Sequence, residues 1–111
     1  MEKSSLTALI RQQFDLARAA PARRSAHTVY GGHEHTLRQT VIVLLAGQEL
    51  SEHNSPGEAT LQVLQGRVRL LAGDITCDGA TADLLIIPDM RHTLRAVEDA
   101  AVLLTVAKLR T

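Results

Sequence analysis

The sequence predicts an all-β domain preceded by one amphipathic helix, and three observations carry the prediction. After Ser25 the chain runs in β-branched and leucine-rich stretches of about six to nine residues, punctuated by Gly, Asn, Asp and Pro, as in an antiparallel barrel or sandwich. Before Ser25, apolar residues recur at three- and four-residue steps, the period of a helix. No second helical stretch interrupts the strand pattern, and no solenoid-length repeat or low-complexity tract is present.

The helix is expected from Ser4 to Ala20. Leu6, Leu9, Ile10, Phe14 and Ala17 share one face, Ser4 or Ser5 supplies the capping oxygen, and Pro21 ends the helix because proline cannot continue it. A stripe of this kind packs on the parent domain or on a partner subunit. Ala20 to Ser25 reads as a connector, which divides the chain into a helix with its connector, 1–24, and a barrel, 25–111.

Strands are expected over Ala26 to Tyr30, Thr36 to Leu45, Glu49 to His53, Ala59 to Gln65, Arg67 to Ala72, Ile75 to Cys77, Asp83 to Ile87, His92 to Val97 and Ala101 to Lys108. Gly66, Gly73-Asp74 and Asp78-Gly79 are assigned to tight reversals, because these residue types accept positive φ. In Arg67-Val68-Arg69-Leu70 the alternation turns Val68 and Leu70 inward and both arginines outward, as in a sheet wet on one face.

A chain of 111 residues has room for one core and one domain. Apolar residues make up 45% of it, yet there is one Phe, one Tyr and no Trp, so the interior is built from Leu, Val, Ile and Ala. Few aromatics leave no stacking platform for nucleic acid, and twelve basic residues balance twelve acidic ones. Nucleic acid is therefore not an expected partner, and a neutral chain has no electrostatic reason to dock on an anionic membrane. Met1 to Ser5 lacks the basic start and apolar run of a signal peptide, and Arg11, Asp15 and Arg18 interrupt any would-be span. The sole cysteine, Cys77, cannot form an intramolecular disulfide; it is expected to be an inert, half-buried thiol, and the compartment a reducing one, the cytoplasm.

Two segments carry a resemblance. Gly47-Gln48-Glu49-Leu50-Ser51-Glu52-His53-Asn54-Ser55-Pro56-Gly57-Glu58-Ala59, continuing to Gly66, is similar to the first conserved motif of the cupin superfamily, which runs Gly, five residues, His, one residue, His, three or four residues, Glu, six residues, Gly. The spacing is kept, but Ser55 stands at the second histidine and Ala59 at the glutamate. Ala82-Asp83-Leu84-Leu85-Ile86-Ile87-Pro88 followed by His92 resembles the second motif, with Ala82 for its glycine, His92 one residue early, and Ala96 where an Asn is expected.

The resemblance is to short single-domain bacterial cupins, and it implies a double-stranded β-helix, or jelly-roll, barrel with the N-terminal helix added. It also implies a divalent transition metal, Fe, Mn, Ni or Zn, at the barrel mouth in those members that keep the full ligand set. Here the motif positions supply His53 and His92, and a tight site needs about three protein ligands. His33 and His35 are further candidates: they share a face if Gly32 to Thr36 is extended, but lie in solvent if Gly31-Gly32 makes a turn. Glu58 is one residue from the glutamate position, a shift that strand alternation turns to the other face. His92 shares parity with Leu94 and Ala96 and is expected to face the interior, whereas His27 is expected on an outer face.

The function expected from this depleted ligand set is a barrel that binds a small molecule, or a regulatory module, without a complete metal site. The alternative is a metal-dependent oxygenase or isomerase acting on a small polar substrate; whether the chain is an enzyme stays open. Leu103 and Leu104 lie on opposite faces of the last strand and both need cover, which points to a homodimer.

Overall fold

The computed structural model describes residues 1–52 and 57–108. Helix α1 spans Leu6–Ala19, and the Ser5 side chain accepts from the Ala8 N–H at 3.2 Å. It stops where Ala20, in extended conformation, precedes Pro21, whose ring disfavours helical geometry in the residue before it. The predicted face is the buried one. Phe14 and Ala17 pack with Val43, Leu45 and Ala101, and Ile10 and Leu64 flank them. The helix therefore covers its own domain.

All nine expected strands are present: β1 Arg24–Tyr30, β2 Leu37–Leu44, β3 Glu49–Glu52, β4 Gly57–Gln65, β5 Arg67–Ala72, β6 Ile75–Ala80, β7 Leu84–Ile86, β8 His92–Ala96 and β9 Ala100–Lys108. They form a five-stranded sheet, β1-β2-β9-β4-β7, and a four-stranded sheet, β3-β8-β5-β6, antiparallel throughout. Period-two alternation sends Ile42, Leu44, Leu61, Val63 and Val102 from the first sheet, and Val68, Leu70, Leu94 and Ala96 from the second, into one aliphatic core. Fully burying each such leucine or valine contributes about 1.5–3 kcal/mol, so this core is the main source of stability.

One turn assignment is corrected. Asp78 and Gly79 lie inside β6, and the reversal before that strand is Gly73-Asp74, with Gly73 at φ +59°. Gly79 is buried for a packing reason: a Cβ there would lie 3.1 Å from both a Leu85 methyl and a Val63 methyl, at the corner where β6 meets β4 and β7. Cys77, expected half-buried, is exposed on this edge strand.

The outer faces of the two sheets differ in character. Across the four-stranded sheet a single register row reads Glu49, Arg95, Arg69, Asp78, with Glu49 pairing to Arg95 at 2.8 Å and Asp78 to Arg69 at 2.7 Å. Across the five-stranded sheet, two outward rows read Val41, Leu103, Gln62, Leu84 and Gln39, Thr105, Thr60, Ile86, without a charge. Leu84 and Ile86 are 59% and 69% exposed there.

The strands also define two ends. At the base, Gly47 N donates to Ala96 O at 2.8 Å, Ala96 N to Gln48 O at 3.0 Å, and Val97 N to Arg67 O at 2.9 Å. At the opposite end, the mouth, lie the start of β2, the start of β8 and the end of β9, where Lys108 N donates to Thr36 O at 2.8 Å.

Candidate functional site

His92 opens β8 with its side chain turned inward, in line with Leu94 and Ala96, and is 8% exposed. A tight turn aims it: Met90 N donates to Pro88 O at 2.8 Å, and the His92 Nδ1 lies 2.9 Å from Met90 O. A carbonyl oxygen can only accept, so Nδ1 carries the hydrogen, and in the neutral ring Nε2 presents its lone pair. The shortened spacing between Pro88 and His92 thus still delivers the imidazole to the interior.

The other described histidines are elsewhere. His53 lies outside the described residues. His33 and His35 stand exposed in the loop between β1 and β2, where His35 N donates to Gly32 O at 3.2 Å and the chain turns rather than extends. The imidazole of His35 meets the Tyr30 ring edge-on, centroids 5.0 Å apart. The shared face that an extended segment would have created is therefore absent. His27 is exposed on β1, as expected. Glu58 is exposed on β4, with the opposite parity to Ala59, which packs against the core.

Among the described residues no group of three His, Cys, Asp or Glu side chains comes close enough to hold a metal ion. The described residues thus supply His92 alone at the motif positions and do not by themselves fit a resident divalent metal.

Two interior polar residues were missed by sequence reasoning. Arg38 and Thr40 share the barrel side of β2 with Ile42 and Leu44, since the pairing of β2 with β9 runs without a bulge from Leu37 to Leu44. The parity was readable, but the unbroken apolar run from Val41 to Leu45 conceals which alternate set faces the core.

Two antiparallel sheets closing on one aliphatic core, with a helix on the outer face of the larger sheet and an inward histidine near one end, define a jelly-roll barrel. The sequence matches no family model and no curated protein. Among solved structures, an RmlC-like cupin protein from Desulfovibrio desulfuricans is 29% identical over 96% of each chain, with a TM-score of 0.74. A conserved protein of unknown function from Streptococcus pyogenes is 26% identical, with 100% of this chain and 93% of that chain covered and a TM-score of 0.74. Salicylate 1,2-dioxygenase from Pseudaminobacter salicylatoxidans is 18% identical over 90% of this chain and 33% of its own, with a TM-score of 0.75, a likeness of fold. The chain is a small cupin domain. Among the described residues no helix is long and apolar enough to cross a membrane.

Proposed function

We propose that this cupin domain binds a small molecule in its barrel and serves as a sensory or regulatory module rather than as a metal enzyme. One observation carries the reading: the barrel interior is largely aliphatic with His92 set into it, while Ala59 and Ala96 occupy positions where the cupin motifs place Glu and Asn. Small-molecule sites have this make-up, apolar walls with a few placed polar groups. The exposed single thiol of Cys77 supports a reducing compartment, and we take the cytoplasm as its location.

Metal analysis of protein purified without a histidine tag tests the proposal. The expected result is metal well below one equivalent, unchanged in His92→Ala. Near-stoichiometric iron, manganese, nickel or zinc that is lost in both His53→Ala and His92→Ala would overturn it, in favour of a metal-dependent oxygenase or isomerase. The measurement is decisive because the Nδ1-protonated tautomer of His92 would also suit a metal ligand.

We also infer a homodimer formed through the outer face of the five-stranded sheet. A two-fold interface sets a patch against its own copy, so charge there repels itself, and the seven residues of those two rows that are not fully buried, Leu103, Gln62, Leu84, Gln39, Thr105, Thr60 and Ile86, carry none. Sedimentation equilibrium at micromolar concentration is expected to give a dimer, and Ile86→Lys a monomer. A monomeric parent protein, or a dimer indifferent to Ile86→Lys, would refute this interface.

A further inference from the structure

We propose that the ligand of this barrel is a small organic anion, a carboxylate, and that Arg38 is the residue that selects its charge. The inference rests on the small-molecule reading above and adds the ligand's chemical class.

At the base, Gly47 is tied to Ala96. From that end β2 climbs from Leu44 to Arg38 and β8 climbs from Ala96 to His92, each along its barrel side. At about 3.3 Å per residue, Thr40 lies roughly 13 Å along β2 from Leu44 and His92 roughly 13 Å along β8 from Ala96, and Arg38 lies about 7 Å beyond Thr40. Arg38 is half-buried, its cross-strand neighbour Val106 is 3% exposed, and the next strand places Ala59 beside Val106. A guanidinium on this wall faces apolar neighbours, and among the described residues it makes no ion pair. The remaining arginines of the barrel sheets behave differently: Arg67, Arg69 and Arg95 point outward and are paired with acids, and Arg24 donates to the Glu49 carbonyl.

An arginine that is always charged and left unpaired at the mouth of an aliphatic barrel calls for an anion, and its planar fork matches a carboxylate. Thr40 and His92 lie on the barrel sides of their strands and would offer polar contacts below it, and the partly buried apolar residues Leu50, Ala59 and Leu104 at the edge of the core would meet the apolar body of the ligand.

Benzoate and its neutral isostere benzamide are the probes, titrated into the protein while backbone amide shifts are followed by NMR. Benzoate is expected to shift the amides of Arg38, Thr40, His92 and Val106 and to bind at least about ten-fold more tightly than benzamide. Arg38→Gln should abolish that preference with the remaining spectrum unchanged, and Arg38→Lys should keep part of it. Equal binding of the two probes at the mouth, or benzoate binding indifferent to Arg38→Gln, would refute the anion assignment and leave the small-molecule reading standing. Absence of mouth shifts with either probe would count against both.

Discussion

The imidazole of His92 is tied to the carbonyl oxygen of Met90, two residues earlier, at 2.9 Å, at the edge of the aliphatic core. This contact determines the proton's position on the ring. Long-range 1H–15N correlation NMR is expected to find the neutral ring protonated on Nδ1, and an Nε2-protonated ring would contradict the turn geometry. Replacing His92 by Ala removes both the ring and the hydrogen bond. Urea unfolding should register a loss of about 2 kcal/mol.

Gln13 is 3% exposed on the buried face of α1, and among the described residues its Oε1 has no hydrogen-bond partner. A buried acceptor without a partner costs free energy, so Gln13→Leu or Gln13→Met is expected to stabilise the fold by about 1 kcal/mol. In thermal unfolding this is a rise of roughly 4 °C. A fall in midpoint for both variants would show that the amide contributes more than it costs.

Gly66 and Gly47 have nearly the same backbone angle, φ +88° and +86°, but different surroundings. A Cβ on Gly66 would collide with the Asp99 carbonyl and lie 3.0 Å from the Ala100 Cα, whereas a Cβ on Gly47 would meet nothing within 4 Å. Gly47→Ala should therefore cost only the left-handed backbone penalty, roughly 1–2 kcal/mol. Gly66→Ala should cost clearly more, because β4 and β5 cannot turn without moving the Asp99 backbone. Equal losses in the two variants would mean that the collision is relieved at no cost.

Asp78 accepts from the Arg69 Nε at 2.7 Å and from Nη2 at 3.1 Å, and these hydrogen bonds hold its carboxyl below the ordinary aspartate value. A carboxyl whose pKa is lower folded than unfolded contributes stability above the unfolded value, near pH 4, and loses it as pH falls through the folded value. Carboxyl 13C titration should give Asp78 a lower midpoint in the parent protein than in Arg69→Gln. An unchanged midpoint would show that the pair does not persist in solution.

Much of the fold was legible because its signals are local. Strand β5 has the bounds read from Arg67-Val68-Arg69-Leu70, and the helix ends at the Ala20-Pro21 junction because proline chemistry acts on its immediate neighbour. The inward aim of His92 followed from its parity with Leu94 and Ala96. The exceptions are places where distant packing outweighs a local preference. Asp78-Gly79 has the composition of a turn, yet Gly79 is needed within β6 because Leu85 and Val63 occupy the space where a side chain would be.

The candidate site was legible to a smaller degree. His33 and His35 alternate on paper, but Gly31 at φ +109° turns the chain away, and a pattern of two histidines carries no information about which way a loop folds. Arg38 gave no sign of its position, because a charged residue at the head of an apolar strand reads equally well as rim or surface.

The sequence by itself determined the order of elements, the aliphatic character of the core, the amphipathic face of α1 and the departures from the cupin ligand pattern, all properties of neighbouring residues. The tertiary structure alone decided that the helix lies on Val43, Leu45 and Ala101, that a row of paired charges crosses the outer face of the four-stranded sheet, and that Arg38 and Thr40 share the barrel side of β2 with Ile42 and Leu44. The physical reason is register: alternation along a strand says which residues share a face, and only pairing with distant strands says what that face looks upon.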